Sequence, residues 1–255
     1  MHRRSLVKIL WQVAPFVFLL FIWQILSSTN VINSQFLPSP TVVIKKFYEL
    51  LFYKGLVFDI LQSVKRVVIG FTIATIVGLC FGFISGNNKY ISKFITPLIE
   101  LFRPIPPIAW IPLAILWFGL GDSPAYFLVF LGSFFPIFSS TYLGVISVEE
   151  PYKRAAKNYN ISEIKYITDI LLPSALPYIF SGLKIGLGVG WMVVIVAELV
   201  GAQSGLGYII ATSRMTLETP SIIVGMAVIG IIGYAMNIFM NWLEYKCIPW
   251  VRPTE

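Results

Sequence analysis

Residues whose types and spacing could carry out chemistry are scarce in this chain of 255 residues. The sequence contains no G-x-x-x-x-G-K-[ST] phosphate loop, no H-E-x-x-H zinc motif and no G-x-S-x-G nucleophile motif. The single histidine, His2, excludes histidine-rich metal chemistry, and Cys80 and Cys247 are too few and too differently placed for a disulfide framework. The sequence therefore predicts no catalytic site, no bound metal and no ATP site on this chain.

Ionisable residues inside long apolar runs are the remaining candidates, because a charge at membrane depth is costly and usually faces a cavity or a partner. Glu198 stands near the end of one such run, and Glu100 and Arg103 stand in another. Glu198 could pair with a neighbouring helix or act as a gate on a solute pathway, and pairing is the favoured interpretation. Arg103 could attract an anion or pair with Glu100 one turn before it, and pairing is again favoured.

The amino-acid composition indicates the kind of protein in which these charged residues lie. Hydrophobic residues make up 57% of the chain, aromatic residues 15%, and the mean hydropathy is +0.80, whereas soluble domains are about 45–50% apolar. The chain is therefore expected to be an integral membrane protein of one domain. Its net charge of +7 does not indicate a nucleic-acid partner, since Lys and Arg are spread among polar segments and not gathered on one face.

Apolar length and periodicity predict an all-helical protein with six transmembrane helices. The predicted spans are residues 9–26, 67–85, 94–118, 126–146, 178–199 and 222–242. The first run could also be a signal peptide, but it is longer than a usual signal core and no small-x-small cleavage site closes it. Residues 41–55 predict an amphipathic helix at the membrane interface, and residues 201–220 predict a polar loop.

Prolines predict that the third span is broken, because each proline lacks an amide donor and clashes with the preceding turn. They are Pro97, Pro104, Pro106, Pro107 and Pro112. Irregular backbone at membrane depth is tolerated only where protein buries it or a cavity hydrates it.

Glycine recurs at every fourth residue in two of the spans, at Gly78, Gly82 and Gly86 and at Gly182, Gly186 and Gly190. This spacing places each set on one helix face, where another backbone can approach closely. Close packing within the chain is the favoured interpretation; a glycine-lined pore wall or a dimer seam is the alternative.

The distribution of basic residues predicts the orientation. Six spans place both termini on the same side of the membrane, and eleven Lys and Arg residues fall on that side against four on the other. By the positive-inside rule, both termini and residues 147–176 are expected to be cytoplasmic.

A polar segment from Glu149 to Leu183 separates two apolar runs in the second half of the chain. We interpret it as two short helices joined near residues 158–161. Ser162 is suited to cap the second helix, and Asn160 suits the joint, because Asn enters the left-handed backbone region cheaply. Pro173 and Pro177 are expected to end the polar segment and start the next membrane helix.

Apolar residues are dense in this segment although it is expected to lie outside the membrane. They include Tyr152, Ala155, Ala156, Ile161, Ile164, Ile167 and Ile170. The isoleucines follow an i, i+3 spacing that lays one apolar stripe along a helix. An ordinary solvated connector does not explain this density, so the segment predicts a docking surface for a partner protein.

The same segment resembles the cytoplasmic EAA loop of ABC importer permeases. In that family Glu-Ala-Ala is followed three residues later by Gly and ten after that by Ile-x-Leu-Pro. Ala155-Ala156, Ile170, Leu172 and Pro173 match the pattern, whereas Arg154 replaces the family Glu and Asn160 the family Gly. Asn preserves the expected backbone geometry, while Arg154 reverses a charge at the start of the coupling helix.

Three further motifs extend the resemblance over nearly the whole chain. FLPSP at 36–40, RPIPPIAWIPLAILWFGLG at 103–121 and AELVGAQSGLGYII at 197–210 are similar to the nitrate, taurine, alkanesulfonate and bicarbonate branch of these permeases. The resemblance implies the type I ABC importer permease fold with a coupling loop at residues 147–176. The implied coupling residues are Arg154, Ala155, Ala156, Asn160, Ile161, Ile164, Ile170, Leu172 and Pro173. Candidate pathway or gate residues are Arg103, Glu198, Gly186 and Gly190.

The resemblance also implies the partners and the location. A transport subunit of this kind works with two ATP-binding subunits that hold ATP-Mg, a second permease copy that forms a homodimer, and an extracytoplasmic solute-binding protein. No cofactor is bound by the permease itself. The location implied is the bacterial cytoplasmic (inner) membrane.

The resemblance implies that the substrate is a small oxyanion such as an alkanesulfonate, taurine, nitrate or bicarbonate. Related branches carry neutral heteroaromatic vitamin precursors, and this alternative stays open. An ion-coupled secondary carrier is an alternative from a different class, although such carriers often show internal repeats and none is detectable here. An intramembrane enzyme lacks any His, Cys or paired Asp constellation to support it.

Overall fold

The computed structural model describes residues 14–15, 18–29, 35–148 and 150–250, without the side chains of residues 150, 153 and 157, and these residues form helices joined by short turns. The helices of the first half are α1 (Phe18–Ser28), α2 (Pro40–Tyr53), α3 (Leu56–Asn87), α4 (Lys89–Phe102) and α5 (Ile111–Phe118), the last preceded by a 3-10 turn at Pro107–Trp110. Those of the second half are α6 (Asp122–Ile146), α7 (Glu150–Asn158), α8 (Glu163–Tyr166), α9 (Leu172–Gly201), α10 (Leu206–Met215) and α11 (Thr219–Cys247).

Helix α6 lies between α3 and α9, and glycines set how closely these three helices approach. A Cβ added at Gly82 of α3 would lie 2.7 Å from the Cβ of Thr141, and one added at Gly182 of α9 would lie 2.6 Å from the Cβ of Ser140. Such distances leave no room for any side chain larger than hydrogen. The favoured interpretation of the glycine repeats as packing faces is therefore confirmed.

Two apolar cores hold the helices together. The larger lies between α3, α6, α9, α10 and α11, and fully buried members are Val67, Leu128, Val194, Leu206 and Val224. The smaller lies where α6 ends and α9 begins, and consists of Val145, Val148, Leu171, Ala175 and Ile179. The second core fastens the polar segment at residues 150–173 to the membrane helices.

Four described helices are long and apolar enough to cross a membrane: α3, α6, α11 and the continuous helix Glu163–Gly201. The pair α4 and Pro107–Phe118 passes the same test together but is bent by 83°, which agrees with the break expected from its prolines. The number of spans among the described residues is thus four or five, and six is not confirmed. Residues 9–13 and 16–17 of the first predicted span lie outside the described residues, as do Arg3, Arg4, Lys8 and Arg252.

Two sequence expectations about element boundaries are wrong. Helix α3 begins at Leu56 and not near residue 67, because Arg66, which suggested a polar boundary, is buried and paired inside the bundle. The predicted loop at residues 201–220 contains helix α10. Its residues Leu206 and Ala211 are buried, so tertiary packing stabilises a helix in a stretch whose glycines and polar residues indicated a loop.

Helix α2 is attached to the start of α11 by charged side chains. Lys46 Nζ lies 2.9 Å from Glu49 Oε2 and 2.5 Å from Glu218 Oε1. The hydrogen bond from Lys46 holds the pKa of Glu218 below its usual range. Burial acts to lower the pKa of Lys46, but its bonds to the two carboxylates outweigh this and raise it.

Candidate functional site

A buried charge network joins α3, α6 and α9 at one end of the bundle. Arg66 and Glu198 are each 1% exposed, and Arg66 Nη1 lies 2.8 Å from Glu198 Oε1. Arg66 Nη2 lies 2.6 Å from Asp122 Oδ1. The expected pairing of Glu198 with a neighbouring helix is therefore confirmed, and its partner is an arginine.

The remaining polar groups of this network are also satisfied. Ser63 and the backbone amide of Gly207 donate to Glu198 Oε2 at 2.8 and 2.9 Å. Arg66 donates to the carbonyl oxygen of Ser204 at 2.6 Å, and Asp59 accepts from the amide of Gly205 at 2.6 Å. A buried charge is tolerated when it is paired and fully hydrogen-bonded. We call this end of the bundle, defined by Arg66, Asp122 and Glu198, the network end.

The other sequence candidates in the membrane helices occupy different surroundings. Arg103 follows α4 and is exposed, and Glu100 is exposed on α4. Within the described part of the chain no ion pair joins these two residues, so their expected pairing is wrong: both side chains are exposed, where a pair would add little stability. Gly186 and Gly190 face Ser133 and Ile137 of α6.

The opposite end of the bundle carries the polar segment, and we call it the loop end. Helix α7 stops at Asn158, and Asn160 adopts φ 49°. The amide of Ile161 donates to the carbonyl of Ala156 at 3.0 Å, the six-to-one bond of a Schellman cap with Asn in the position that Gly usually takes. Asn160 therefore forms the turn as the sequence predicted.

The helix after this turn runs into the membrane without a break. Ser162 Oγ accepts from the amide of Lys165 at 3.5 Å and caps α8. Residues Ile167–Leu171 form a π-helical turn that leads directly into α9, so a 39-residue helix extends from Glu163 to Gly201. Pro173 is the second residue of α9 and Pro177 lies inside it. The two short helices joined near residues 158–161 are present as expected, but the second of them continues into the membrane helix without the break expected at the prolines.

One face of the polar segment is buried against its own chain. Ala156 is 6% exposed and Leu171 1% exposed. Both line a cavity of about 390 Å³ together with Gly86, Val145 and Tyr166. Ala156 therefore faces the ends of α3 and α6, whereas the sequence placed it together with Ala155 against a partner.

The other face is open and apolar. The exposed fractions of Tyr152, Tyr159 and Ile164 are 58%, 82% and 75%. Arg154 and Ala155 are also exposed, as are Ile161 and Leu172. An apolar surface on a segment between two membrane helices is suited to bind another protein.

Among the described residues no group of three or more His, Cys, Asp or Glu side chains could hold a metal ion. The arrangement is an exposed apolar surface at the loop end, joined by a continuous helix to membrane helices that a charge network holds together at the other end. Sequence reasoning missed Arg66 as a member of this arrangement. The signal was the apolar stretch from Leu56 onwards, which continues through Lys65 and Arg66 and indicates a helix that begins earlier.

Comparisons with known proteins identify close relatives in sequence and in fold. Residues 74–253 match the family described as "Binding-protein-dependent transport system inner membrane component". The chain is 33% identical over 237 residues to the taurine transport system permease protein TauC of Escherichia coli strain K12, covering 91% of this chain and 86% of that protein. It is 32% identical over 251 residues to the nitrate import permease protein NrtB of a Synechocystis strain, covering 95% of this chain and 90% of NrtB.

A solved structure supports the same fold. The chain superimposes on an inward-facing conformation of the MetNI methionine ABC transporter with a TM-score of 0.65 at 17% sequence identity, covering 78% of this chain and 96% of that chain. The match at this identity concerns the fold alone.

Proposed function

We infer the function from one premise: this chain belongs to the family of binding-protein-dependent transport system inner membrane components. It is a permease subunit of an ABC importer of the nitrate, taurine, sulfonate and bicarbonate branch. It has the all-helical fold of type I importer permeases. It is a transport subunit, and the hydrolysis of ATP belongs to separate subunits.

The observation that carries the mechanism is the continuity of the docking surface with a membrane helix. Ile164 is exposed on α8, and α8 and α9 are parts of one helix. A force applied to Ile164 by an ATPase subunit is transmitted along that helix, because a helix is stiff over this length and Leu171 anchors it in the smaller core. ATP-driven movement of the ATPases would in this way reorient the spans between inward-facing and outward-facing states.

The coupling residues follow from this surface. We propose that Arg154, Ala155, Ile161 and Ile164 contact the ATPase. Asn160 shapes the turn, Ala156 and Ile170 seat the segment on its own chain, and Leu172 and Pro173 begin α9. Arg154 stands where the family has Glu, so the partner surface is expected to offer an acidic or neutral group opposite it.

The assembly and the substrate are the finer parts of the proposal. Two permease copies pair with two ATPase subunits that hold ATP-Mg, and an extracytoplasmic binding protein delivers the solute to the cytoplasmic membrane. The solute is a small oxyanion, a class supported by relatives named for taurine, nitrate, aliphatic sulfonates and bicarbonate. Arg103, Glu198, Gly186 and Gly190 remain predictions as pathway residues; in this conformation only Arg103 among them is exposed.

Co-purification with the ATPase subunit tests the docking surface. Ile164→Asp should reduce recovery of the ATPase and ATP-dependent uptake of taurine or nitrate into proteoliposomes by about tenfold or more, since a charge in an apolar contact costs at least about 1.4 kcal/mol. Leu217→Asp is the matched control, because Leu217 is 70% exposed on the turn between α10 and α11, at the network end. It should leave ATPase recovery unchanged.

Two results would contradict the proposal. Full ATPase recovery with Ile164→Asp would remove the docking assignment. Solute transport by the purified chain in liposomes without any ATPase would instead indicate a secondary carrier.

A further inference from the structure

A cavity between α9 and α11 contains polar groups that the packing of the bundle does not require. Its volume is about 150 Å³, and its lining consists of Lys184, Leu187, Gly188, Trp191, Gly233, Met236, Asn237 and Met240. A cavity of about this volume accommodates a molecule the size of benzene. Nitrate, bicarbonate and the smallest sulfonates are of similar or smaller size.

Lys184 is the cation of this cavity. It lies about 18 Å along α9 from Leu172 at 1.5 Å per residue, and its ammonium pairs with the carboxylate of Glu244 on α11. An ammonium has three N–H donors, and Glu244 is the one carboxylate that pairs with it among the described residues. Lys184 therefore keeps donors for a further acceptor in the cavity.

Asn237 adds an amide on the facing helix. It lies about 15 Å from the end of α11 at Cys247, and within the described part of the chain its side chain has no hydrogen-bond partner. An amide in contact with hydrocarbon would lose its hydrogen bonds to water. Asn237 is therefore expected to face water or a polar ligand.

Trp191 and the two glycines shape the cavity. Trp191 donates from Nε1 to the carbonyl of Ile229 at 3.2 Å, and a Cβ at Gly233 would lie 2.9 Å from the same nitrogen. The indole thus closes the cavity on the side of α11. A Cβ at Gly188 would meet nothing within 4 Å, so the space beside Gly188 is open.

The two sides of the α9–α11 seam differ in polarity. The groove on the other side, against α3, has a volume of about 510 Å³ and is lined by apolar side chains apart from Thr72. Leu187, Met236 and Met240 form the wall shared by the groove and the cavity. The groove is suited to lipid chains, whereas the side that carries Lys184 and Asn237 is suited to water and solute.

We propose that Lys184 and Asn237 form a subsite in the membrane for the acidic headgroup of the transported oxyanion, and that Glu244 holds Lys184 when the subsite is empty. The proposal rests on the proposed transport function and deepens it by placing a recognition step in the permease. The anion takes hydrogen bonds from the ammonium and from the amide, and it competes with Glu244 for Lys184.

Because Glu244 and the anion compete for Lys184, substitutions of Lys184 and of Glu244 should change the affinity for the anion in opposite directions. Lys184→Gln should weaken anion binding about tenfold or more, the loss expected for a hydrogen bond from a charged donor. Glu244→Gln should strengthen binding about threefold or more, because the competing carboxylate is removed. Asn237→Leu should weaken binding about threefold, the value of a neutral hydrogen bond.

The measurement is calorimetric titration of the purified permease–ATPase complex, without the binding protein, in phosphatidylcholine nanodiscs. The probes are taurine, ethanesulfonate and sodium nitrate. Lys246→Gln is the matched control, because Lys246 lies on α11 near Glu244 but its ammonium stands 4.1 Å above the ring of Trp242. Lys184→Arg should keep part of the affinity, and recovery of the intact complex identifies variants that fail to fold.

Saturable binding of at least one probe, with opposite effects of the two ion-pair variants, supports the subsite. Equal losses of anion binding in Lys184→Gln and Glu244→Gln, restored when Lys184→Glu and Glu244→Lys are combined, would show that the ion pair is purely structural. That result would overturn the subsite. Displacement of the probe by phosphatidylglycerol would assign the cavity to a lipid headgroup and also overturn it. Absence of probe binding, in a complex that performs ATP-driven uptake once it is reconstituted in liposomes with its binding protein, overturns only the subsite. Absence of uptake in those liposomes contradicts the transport function itself.

Discussion

Arg66 is the residue whose surroundings depart most from what its type suggests, since a full positive charge is 1% exposed within a membrane protein. It is held by Glu198, Asp122 and the carbonyl of Ser204. Each of these partners belongs to a different stretch of the chain, so Arg66 joins α3 to α6, to α9 and to the turn before α10. The fully bonded arginine fixes how these elements are placed relative to each other.

Removing the side chain of Arg66 should therefore destabilise the protein strongly. Arg66→Met leaves Glu198 buried without its cation, and breaking a buried pair in this way costs about 3–5 kcal/mol. Lys65→Met is the matched control, because Lys65 Nζ lies 3.4 Å from Asp122 Oδ2 with about half of its side chain exposed, and such pairs contribute about 0–1 kcal/mol. Thermal unfolding in detergent compares the two variants, and equal losses would contradict the structural role of Arg66.

Single residues also show what a sequence can and cannot reveal. Asn160 was predictable, because its conformation depends on its own backbone preference and on neighbours in sequence. Arg66 was not, since its burial depends on carboxylates that lie 56 and 132 positions away in the chain. The orientation of Ala156 toward its own chain was missed for the same reason: a helix face shows which residues lie together but not which of two partners they meet.

Among the elements, α3 and α6 depend on glycine for their contact. Gly82→Ala should destabilise the protein by about 1–3 kcal/mol, the cost of overpacking, because the new Cβ would lie 2.7 Å from Thr141 Cβ and 2.9 Å from the carbonyl oxygen of Phe138. Gly230→Ala on α11 is the control: its Cβ meets nothing within 4 Å, so helix propensity should make it neutral or stabilising. Thermal unfolding of both variants measures the difference, and a loss of the same size in Gly230→Ala would show that the contact is not the cause.

Element boundaries were predictable where composition changes and not where packing decides. The break in the third span was predicted correctly, because a proline disrupts the helix at its own position in the sequence. The hydropathy pattern missed the first turns of α3 and the whole of α10, because these stretches contain polar residues and glycines that are typical of loops. At both places buried contacts with α9 outweigh the local preference of the backbone: Ser63 and Gly207 bond to Glu198, and Leu206 lies in the larger core.

At the scale of the whole molecule, the bent pair α4 and α5 must cross from one end of the bundle to the other. Lys89, at its start, lines the cavity beside Ala156 at the loop end. Asp122, just after its end, bonds to Arg66 at the network end. We therefore expect the pair to count as one crossing, which gives up to five crossings among the described residues together with the four long helices.

Five crossings predict the relative sides of the described segments. The helices Glu163–Gly201 and Thr219–Cys247 form a pair that leaves the loop end and returns to it. Cys247 is exposed at the end of that return, so it is expected on the same side as Tyr159. Leu217, between α10 and α11, is expected on the other side. The positive-inside rule then predicts that Cys247 is cytoplasmic.

Labelling with a membrane-impermeant maleimide tests this topology in a Cys80→Ala background, which removes the other free thiol. Native Cys247, and Tyr159→Cys made with Cys247→Ala, should react in inside-out vesicles and not in intact spheroplasts, because their thiols face the cytoplasm and a charged reagent does not cross the bilayer. Leu217→Cys, made with Cys247→Ala, should show the opposite pattern.

A protease-accessible tag at the amino terminus should also be cytoplasmic, since a span at residues 9–26 would raise five crossings to six. Cleavage of the tag from outside would leave the chain with five crossings and contradict that first span.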